Sequence, residues 1–165
     1  DVSDPMILCG YNRTRTRLNR YVRQPLSLTS SLPVVRERVI CLKNNHNAGV
    51  YNGMIGYVVE VKEKGKDHLA LKAKMDGGVD FNGDVWRHQF GAGQTIRPKD
   101  KQEAGYMGDF FDWGYAMTVH KSQGSEAKRV VVFEERLPKA TDDDWKRWLY
   151  TAVTRARERL LIVGS

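Results

Sequence analysis

Long apolar segments are absent from the 165-residue sequence, and cysteine is scarce. No run approaches the roughly 20 apolar residues that a membrane-spanning helix requires, and no basic-then-apolar signal region opens the chain. Cys9 and Cys41 each lie in an apolar stretch, which favours two buried thiols over a disulfide or a metal pair. The histidines lack zinc-type spacing to one another or to cysteine. We therefore expect a soluble, cytoplasmic protein without a metal site.

The positive charge is concentrated at the beginning of the chain. Hydrophobic residues make up 41% of the sequence, as in a folded domain, and the net charge is +7. Residues 1–38 contain seven arginines and three acidic residues. This excess is compatible with a polyanionic partner and also with a merely basic soluble protein. The chain begins with Asp rather than Met, so we expect a piece of a longer polypeptide.

Strand and helix patterns alternate at both ends of the sequence. Residues 6–10 form an apolar run, and an arginine-rich helix that Asn12 can cap follows until Pro25. Near the C terminus, a helix is predicted from about Asp143 to Arg157, between two apolar strands. Strands before and after helices predict an α/β fold with a mostly parallel sheet flanked by helices.

The middle of the chain has a different pattern. Residues 37–98 consist of short alternating runs divided by turn signals such as Asn-Gly and Asp-Gly. Five short strands in about 60 residues predict a small antiparallel barrel, of the SH3-like or OB-like kind. The predicted domains are therefore 1–36 with 99–165, and an inserted barrel at 37–98.

A polar segment at residues 118–123 joins two apolar segments. It supplies hydroxyl, imidazole and ammonium groups from Thr118, His120, Lys121 and Ser122. An exposed turn explains most polar hexamers. However, loops that follow parallel strands bind ligands in α/β sheets, and donors of these kinds suit the phosphates of a nucleic acid.

Arg155 lies on the flank of the apolar stripe of the predicted last helix. This position would hold the guanidinium rigidly and still let it reach outward. A fixed guanidinium suits phosphate oxygens because its planar fork donates in pairs and stays charged. A basic helix end that offsets the helix dipole is the alternative interpretation. For the acidic residues 142–144, a solvated helix start is favoured over a metal site.

Two ordered motifs carry a family resemblance. "GYAMTVHKSQGSE" closely resembles motif V of superfamily 1 helicases, and "WLYTAVTRARERLLIVG" resembles their motif VI. "ILCGYNRTRTRLN" resembles the motif IV region, while "RVICLKNN" and "VYNGMIGYVVEV" resemble the SH3-like barrel inserted in the 5′ to 3′ branch. The chain thus resembles the C-terminal motor domain, UvrD-like and RecA-like in fold, of superfamily 1B helicases of the RecD-like, Dda-like and Pif1-like kind.

The resemblance implies roles for individual residues. Arg155 matches the motif VI arginine finger that contacts the γ-phosphate of ATP. The residues implied near the nucleotide are Arg13 (or, if the alignment slips, Arg15 or Arg17), Gln123, Gly124 and Glu126. The residues implied to contact single-stranded DNA are Thr118, His120, Lys121 and Ser122. Among the aromatic residues of the barrel, Tyr51 at a turn tip is the first candidate for stacking on a base.

The sequence also departs from the family pattern. Ala127 stands where a bulky residue often follows the motif V glutamate, and no GxxxxGK[ST] loop or acidic Walker B strand occurs. The resemblance therefore implies a partner, the N-terminal RecA-like domain of the same polypeptide, which would bind most of the ATP and Mg²⁺. We expect negligible ATPase activity from the chain alone.

Three functions remain open at this stage. The first is the C-terminal half of an ATP-dependent 5′ to 3′ DNA helicase, with the polarity implied only by the resemblance. The second is a nonenzymatic module that binds nucleic acid. The third is an alpha-type helicase subunit of an exodeoxyribonuclease V-like nuclease complex. None of them predicts a membrane partner.

Overall fold

The computed structural model describes residues 5–136 and 138–164. Within these residues, no helix combines the length and apolarity needed to span a bilayer. The helices and strands are, in chain order, β1 (Met6–Cys9), α1 (Asn12–Arg23), β2 (Arg38–Cys41), β3 (Ile55–Lys64), β4 (His68–Met75), β5 (Asp80–Trp86), α2 (Lys101–Met107), β6 (Phe111–Trp113), β7 (Ala116–Thr118), β8 (Ala127–Phe133), α3 (Asp142–Val153) and β9 (Ala156–Val163).

The chain folds into two compact units, Asp1–Pro25 with Tyr115–Ser165, and Leu26–Gly114. The first unit contains a four-stranded sheet in the order β7-β1-β8-β9. All three strand pairs are parallel, so the predicted parallel sheet is confirmed. Helix α1 packs on β1 and β7, and α3 packs on β8 and on the turn that follows β7.

Helix α1 is fixed to the sheet by a buried asparagine. Asn19 is 1% exposed, and its side-chain amide donates to the carbonyl oxygen of Ala116 at 3.3 Å while its oxygen accepts from the Ala116 N–H at 2.8 Å. Leu18 packs beside it against Cys9. Helix α1 therefore packs on the sheet through polar as well as apolar side chains.

The predicted cap of α1 is wrong. Asn12 is the first helical residue, and the N-cap position belongs to Tyr11, whose side chain makes no capping bond. The carboxylate of Glu135 instead accepts the backbone N–H groups of Gly10 at 2.7 Å and Tyr11 at 3.1 Å. A residue that follows β8 thus supplies the negative charge at the start of α1, where the helix dipole favours it.

Helix α3 ends earlier than predicted. The helix runs over Asp142–Val153 rather than to Arg157, and it begins with a reciprocal capping box between Thr141 and Asp144. At its end, the hydroxyl of Thr154 donates to the carbonyl oxygen of Tyr150 at 2.9 Å. This bond satisfies a terminal carbonyl of the helix. Arg155 therefore lies in the turn between α3 and β9, not on the helix.

The second unit contains a five-stranded sheet in the order β5-β4-β3-β2-β6. All of its pairs are antiparallel, in agreement with the alternating pattern of the sequence. The unit extends beyond the predicted 37–98 because Phe111–Trp113 pairs with Val39–Cys41. Its core is aromatic, with the rings of Phe81 and Phe111 centred 4.7 Å apart.

Candidate functional site

Residues 119–126 cross the first unit from the carboxyl ends of its parallel strands to their amino ends. Thr118 pairs with Cys9 at the carboxyl end of β1. At the other end of the segment, Ala127 pairs with Ala156 at the amino ends of β8 and β9. Residues 119–126 therefore begin beside the carboxyl ends of the strands and finish beside their amino ends, next to Arg155.

The residues predicted to contact DNA fall into two groups. His120 is exposed and Lys121 is half-buried, both on the short turn Val119–Ser122. Thr118 is 8% exposed, and Ser122 is fully buried, with its hydroxyl donating to the carbonyl oxygen of Val119 at 2.8 Å. The structure brings the first two to the surface. Ser122 shapes the turn that presents them.

Gly124 and Glu126 form the exposed end of the segment. Gly124 has a φ of +83°, in the left-handed region that glycine tolerates best. The carboxylate of Glu126 accepts from the Nε of Arg157 at 2.6 Å, across two exposed side chains. Gln123, also exposed, lies between this end of the segment and His120.

Arg155 is half-buried and held by hydrogen bonds from all three of its side-chain nitrogens. Its Nε donates to the Thr151 carbonyl oxygen at 3.0 Å, and its Nη1 donates to the Ser125 carbonyl oxygen at 3.3 Å. Its Nη2 donates to the hydroxyl of Thr154 at 3.1 Å. The backbone N–H of Ala127 also donates to the Arg155 carbonyl oxygen at 2.9 Å. The predicted finger and the predicted nucleotide-contacting segment are therefore direct neighbours.

Arg13 lies elsewhere on this unit. It is exposed in the first turn of α1, which follows the carboxyl end of β1, whereas Arg155 precedes the amino end of β9. The two arginines therefore lie at opposite ends of the parallel strands, Arg13 at the carboxyl end and Arg155 at the amino end. Of the alternatives, Arg15 is buried at 3% exposure and Arg17 is exposed. The structure does not bring the motif IV candidate together with Arg155.

Tyr51, the candidate in the second unit, is 45% exposed. Its ring meets the imidazole of His46 edge-on, with the ring centroids 5.5 Å apart. The chain reverses direction at this point because Asn45 and Val50 form a backbone bridge. An exposed tyrosine on a fixed turn has the geometry for stacking on a base.

Sequence reasoning did not identify two charged residues of the first unit. In the sequence, Arg157 marks only the predicted end of the last helix, yet in the structure it pairs with Glu126. No local sequence pattern reveals the role of Glu135, because the groups that it binds lie 121 to 125 residues earlier in the chain. Across residues 5–136 and 138–164, no cluster of three or more His, Cys, Asp or Glu side chains is arranged to hold a metal ion.

Comparison with known proteins finds a family match in the C-terminal part of the first unit. Residues 114–163 match the UvrD-like helicase C-terminal domain family. The chain is 31% identical over 131 residues to the ATP-dependent RecD2 DNA helicase of Deinococcus radiodurans, covering 78% of the chain and 14% of that protein. It is 30% identical over 168 residues to the RecBCD enzyme subunit RecD of Mycolicibacterium smegmatis, covering 96% of the chain and 25% of that protein.

The fold is shared with a solved helicase. The crystal structure of the Bacteroides Pif1 helicase in complex with ADP-AlF3 and single-stranded DNA aligns with a TM-score of 0.62 at 18% identity, over 98% of this chain and 41% of that one. The chain thus spans well under half the length of each of these proteins. The family match of residues 114–163 and the RecD relatives support a C-terminal domain of the superfamily 1B helicases, and the fold agrees with that of Pif1.

Proposed function

We propose that the chain is the C-terminal half of an ATP-dependent DNA helicase that moves 5′ to 3′ along single-stranded DNA. The observation that carries this proposal is the position of Arg155, whose guanidinium donates to the Ser125 carbonyl oxygen inside the motif V segment. Residues 119–126 then join the proposed finger, at the amino ends of the strands, to His120 at their carboxyl ends. Such a segment couples a change at a nucleotide to a change at a DNA strand.

ATP and Mg²⁺ would be bound mainly by an N-terminal RecA-like domain of the same polypeptide. The Deinococcus relative is an ATP-dependent DNA helicase by name, and the Pif1 structure contains ADP-AlF3. In this proposal Arg155 would release the Ser125 carbonyl and donate to the γ-phosphate, where a fixed positive charge would stabilise phosphoryl transfer. Gln123, Gly124 and Glu126 would border the nucleotide on the same side.

Single-stranded DNA would pass the exposed face of the turn after β7. His120 and Lys121 supply donors there that suit phosphates of any sequence. Thr118 and Ser122, both buried, would act on the strand through the shape of the turn. The Pif1 structure contains single-stranded DNA, which supports this class of partner.

The second unit would form the SH3-like barrel of the 5′ to 3′ branch, with Tyr51 contacting DNA. Two backbone bonds support closure of the sheet on itself. The Trp86 N–H donates to the Asp109 carbonyl oxygen at 2.9 Å, and the Asp109 N–H donates to the Asp84 carbonyl oxygen at 3.0 Å. These bonds join the segment just before β6, at one edge of the sheet, to β5 at the other edge.

A nuclease complex is the second candidate context. The similarity to the RecBCD subunit RecD of Mycolicibacterium smegmatis extends over 96% of the chain. A RecD-like chain in such a complex would still hydrolyse ATP on DNA. Co-purification with nuclease subunits would distinguish this context from a helicase that acts alone.

Reconstitution of ATP hydrolysis tests the proposal. The chain would be assayed alone, then with the separately produced N-terminal domain of its polypeptide, with and without single-stranded DNA. We expect hydrolysis only with both parts, and stimulation by DNA. Binding to DNA without any hydrolysis under these conditions would favour the nonenzymatic module instead.

A further inference from the structure

A groove of about 380 Å³ lies in the first unit between the turn after β7 and α3. Val119, His120 and Gln123 form one wall, and the helix face that carries Asp144, Arg147, Trp148 and Thr151 forms the other. These helix positions follow the spacing of three and four residues that places side chains on one face. The groove is within the size range of small-ligand sites, at its small end.

The floor of the groove is apolar and the rim is charged. Val119 and Trp148 are 2% and 8% exposed, whereas His120 and Arg147 are exposed at the rim. The indole N–H of Trp148 is buried and has no hydrogen-bond acceptor among the described residues. A buried donor without an acceptor costs free energy.

Asp144 fixes the polarity of the groove. Its carboxylate is anchored at the helix start because it accepts the Thr141 hydroxyl at 2.7 Å and the Thr141 N–H at 3.0 Å. These bonds lower the pKa of Asp144, so the carboxylate stays charged at neutral pH. A phosphate would be repelled from the Asp144 end and attracted to Arg147 and His120.

The geometry points to a site for one nucleoside of single-stranded DNA in this groove, with its base against Val119 and Trp148 and its phosphate at Arg147. A bare anion would not use the apolar floor, and an apolar peptide would not use the guanidinium and imidazole at the rim. A nucleotide in a single strand presents both an apolar ring with carbonyl acceptors and a phosphate. Arg147 is thereby a DNA-binding residue outside motif V.

The inference rests on the proposed function because the strand must already pass His120. Labelled oligothymidylate of about 12 nucleotides would be titrated with the chain at several salt concentrations, beside an abasic strand of equal length. Arg147→Ala is expected to weaken binding of both strands and to lower the salt slope by about 0.7, the value for a single phosphate. Lys146→Ala, on the neighbouring exposed residue that pairs with Asp143, is the control and is expected to leave both quantities near wild type.

A second variant tests the base. Thr151→Leu fills part of the groove with apolar atoms and changes no charge, so it is expected to weaken oligothymidylate binding several-fold and to spare the abasic strand. Equal effects of Thr151→Leu on both strands, or wild-type binding by Arg147→Ala, would overturn the groove assignment and leave the proposed function standing. Failure of the unaltered chain to bind either strand would overturn both. Circular dichroism of each variant confirms that it is folded.

Discussion

The Nη1 of Arg155 donates to the carbonyl oxygen of Ser125 at 3.3 Å. Ser125 lies between Gly124 and Glu126, so the proposed finger is bound to the backbone of the segment that is proposed to border the nucleotide. A movement of this segment would therefore redirect the guanidinium. Because the other end of the same segment carries His120, a change at the proposed nucleotide site would be transmitted to the proposed DNA contact through a few residues of backbone.

Arg155→Ala should abolish DNA-stimulated ATP hydrolysis without affecting DNA binding. Arginine fingers contribute a factor of about 10³ or more to phosphoryl transfer, so the turnover of the reconstituted enzyme should fall by at least that factor. Arg155→Lys should rescue it only in part, because an ammonium lacks the planar fork. Steady-state hydrolysis measures both effects, with Lys146→Ala as the control. Turnover within a few-fold of wild type would refute the finger assignment.

Gly124→Ala should destabilise the first unit because alanine is strained at the backbone conformation of this position. A Cβ at this glycine would meet nothing within 4 Å, so the cost comes from its φ of +83°. We expect a loss of about 1 kcal/mol, and a smaller loss for Gly124→Asn, since asparagine adopts this region more readily. Urea denaturation gives the free energies of unfolding.

Gly93→Ala, in the second unit, is a control for the general effect of a glycine-to-alanine change at an open position. A Cβ at Gly93 also meets nothing within 4 Å, and its φ lies outside the left-handed region. It should therefore cost little. Equal stabilities of the two alanine variants would show that the turn at Gly124 relaxes without strain.

The sequence predicts the parallel sheet because apolar runs and helical periodicity are local signals. It does not predict where α3 ends. The apolar spacing continues to Ala156, but Thr154 caps the helix and β9 begins at Ala156, where it pairs with Ala127. That pairing joins residues far apart in the chain, so no local window contains it.

The sequence also does not predict which residues of the polar segment are buried. Ser122 and His120 are both polar residues of one short turn, and the pattern gives no preference between them. In the structure Ser122 is fully buried and His120 is exposed, because the turn packs against β1, β7 and α3 on only part of its surface. The family resemblance implies that this segment contacts DNA. Only the fold shows which of its side chains are buried in the turn and which are exposed and able to donate hydrogen bonds to a ligand.

Lys121→Ala should weaken single-strand binding across sequences and reduce its salt dependence. Each phosphate of a single strand that the protein no longer neutralises lowers the slope of log K against log salt by about 0.7. Fluorescence anisotropy over a range of salt concentrations measures the slope. Lys128→Ala is a suitable control because Lys128 is exposed and lies 3.9 Å from Glu158 on the neighbouring strand. An unchanged slope in Lys121→Ala would mean that this lysine does not contact phosphate.

Cys9 should resist alkylation in the folded protein. Burial raises the pKa of its thiol from 9.0 to about 12, with a further contribution from the negative charge of Glu135. The thiolate is the reactive form, so iodoacetamide at about pH 8 should label Cys9 only after denaturation. Because the folded state holds the neutral thiol, this group's contribution to stability should decline as pH rises from 9.0 towards about 12. Rapid labelling of the native chain, located by mass spectrometry, would contradict this.

Glu135→Ala should destabilise the first unit more than any exposed charge removal nearby. The Glu135 carboxylate accepts the N–H groups of Gly10 and Tyr11, and also the hydroxyl of Thr14. Removal of this carboxylate leaves the start of α1 without its acceptor, and we expect a cost of about 2 kcal/mol. Glu135→Gln keeps an acceptor but removes the charge, so it should fall between alanine and wild type.

Glu134→Ala provides the comparison for Glu135, since the two glutamates are adjacent and both half-buried. The backbone N–H of Glu134 donates to the Val163 carbonyl oxygen, a bond that alanine retains. Its substitution should therefore cost no more than about 0.5 kcal/mol in urea denaturation. Equal destabilisation by the two alanine variants would mean that the Glu135 carboxylate does not anchor α1. In that case Asn19, bonded to both backbone groups of Ala116, would remain as a polar link between that helix and the sheet.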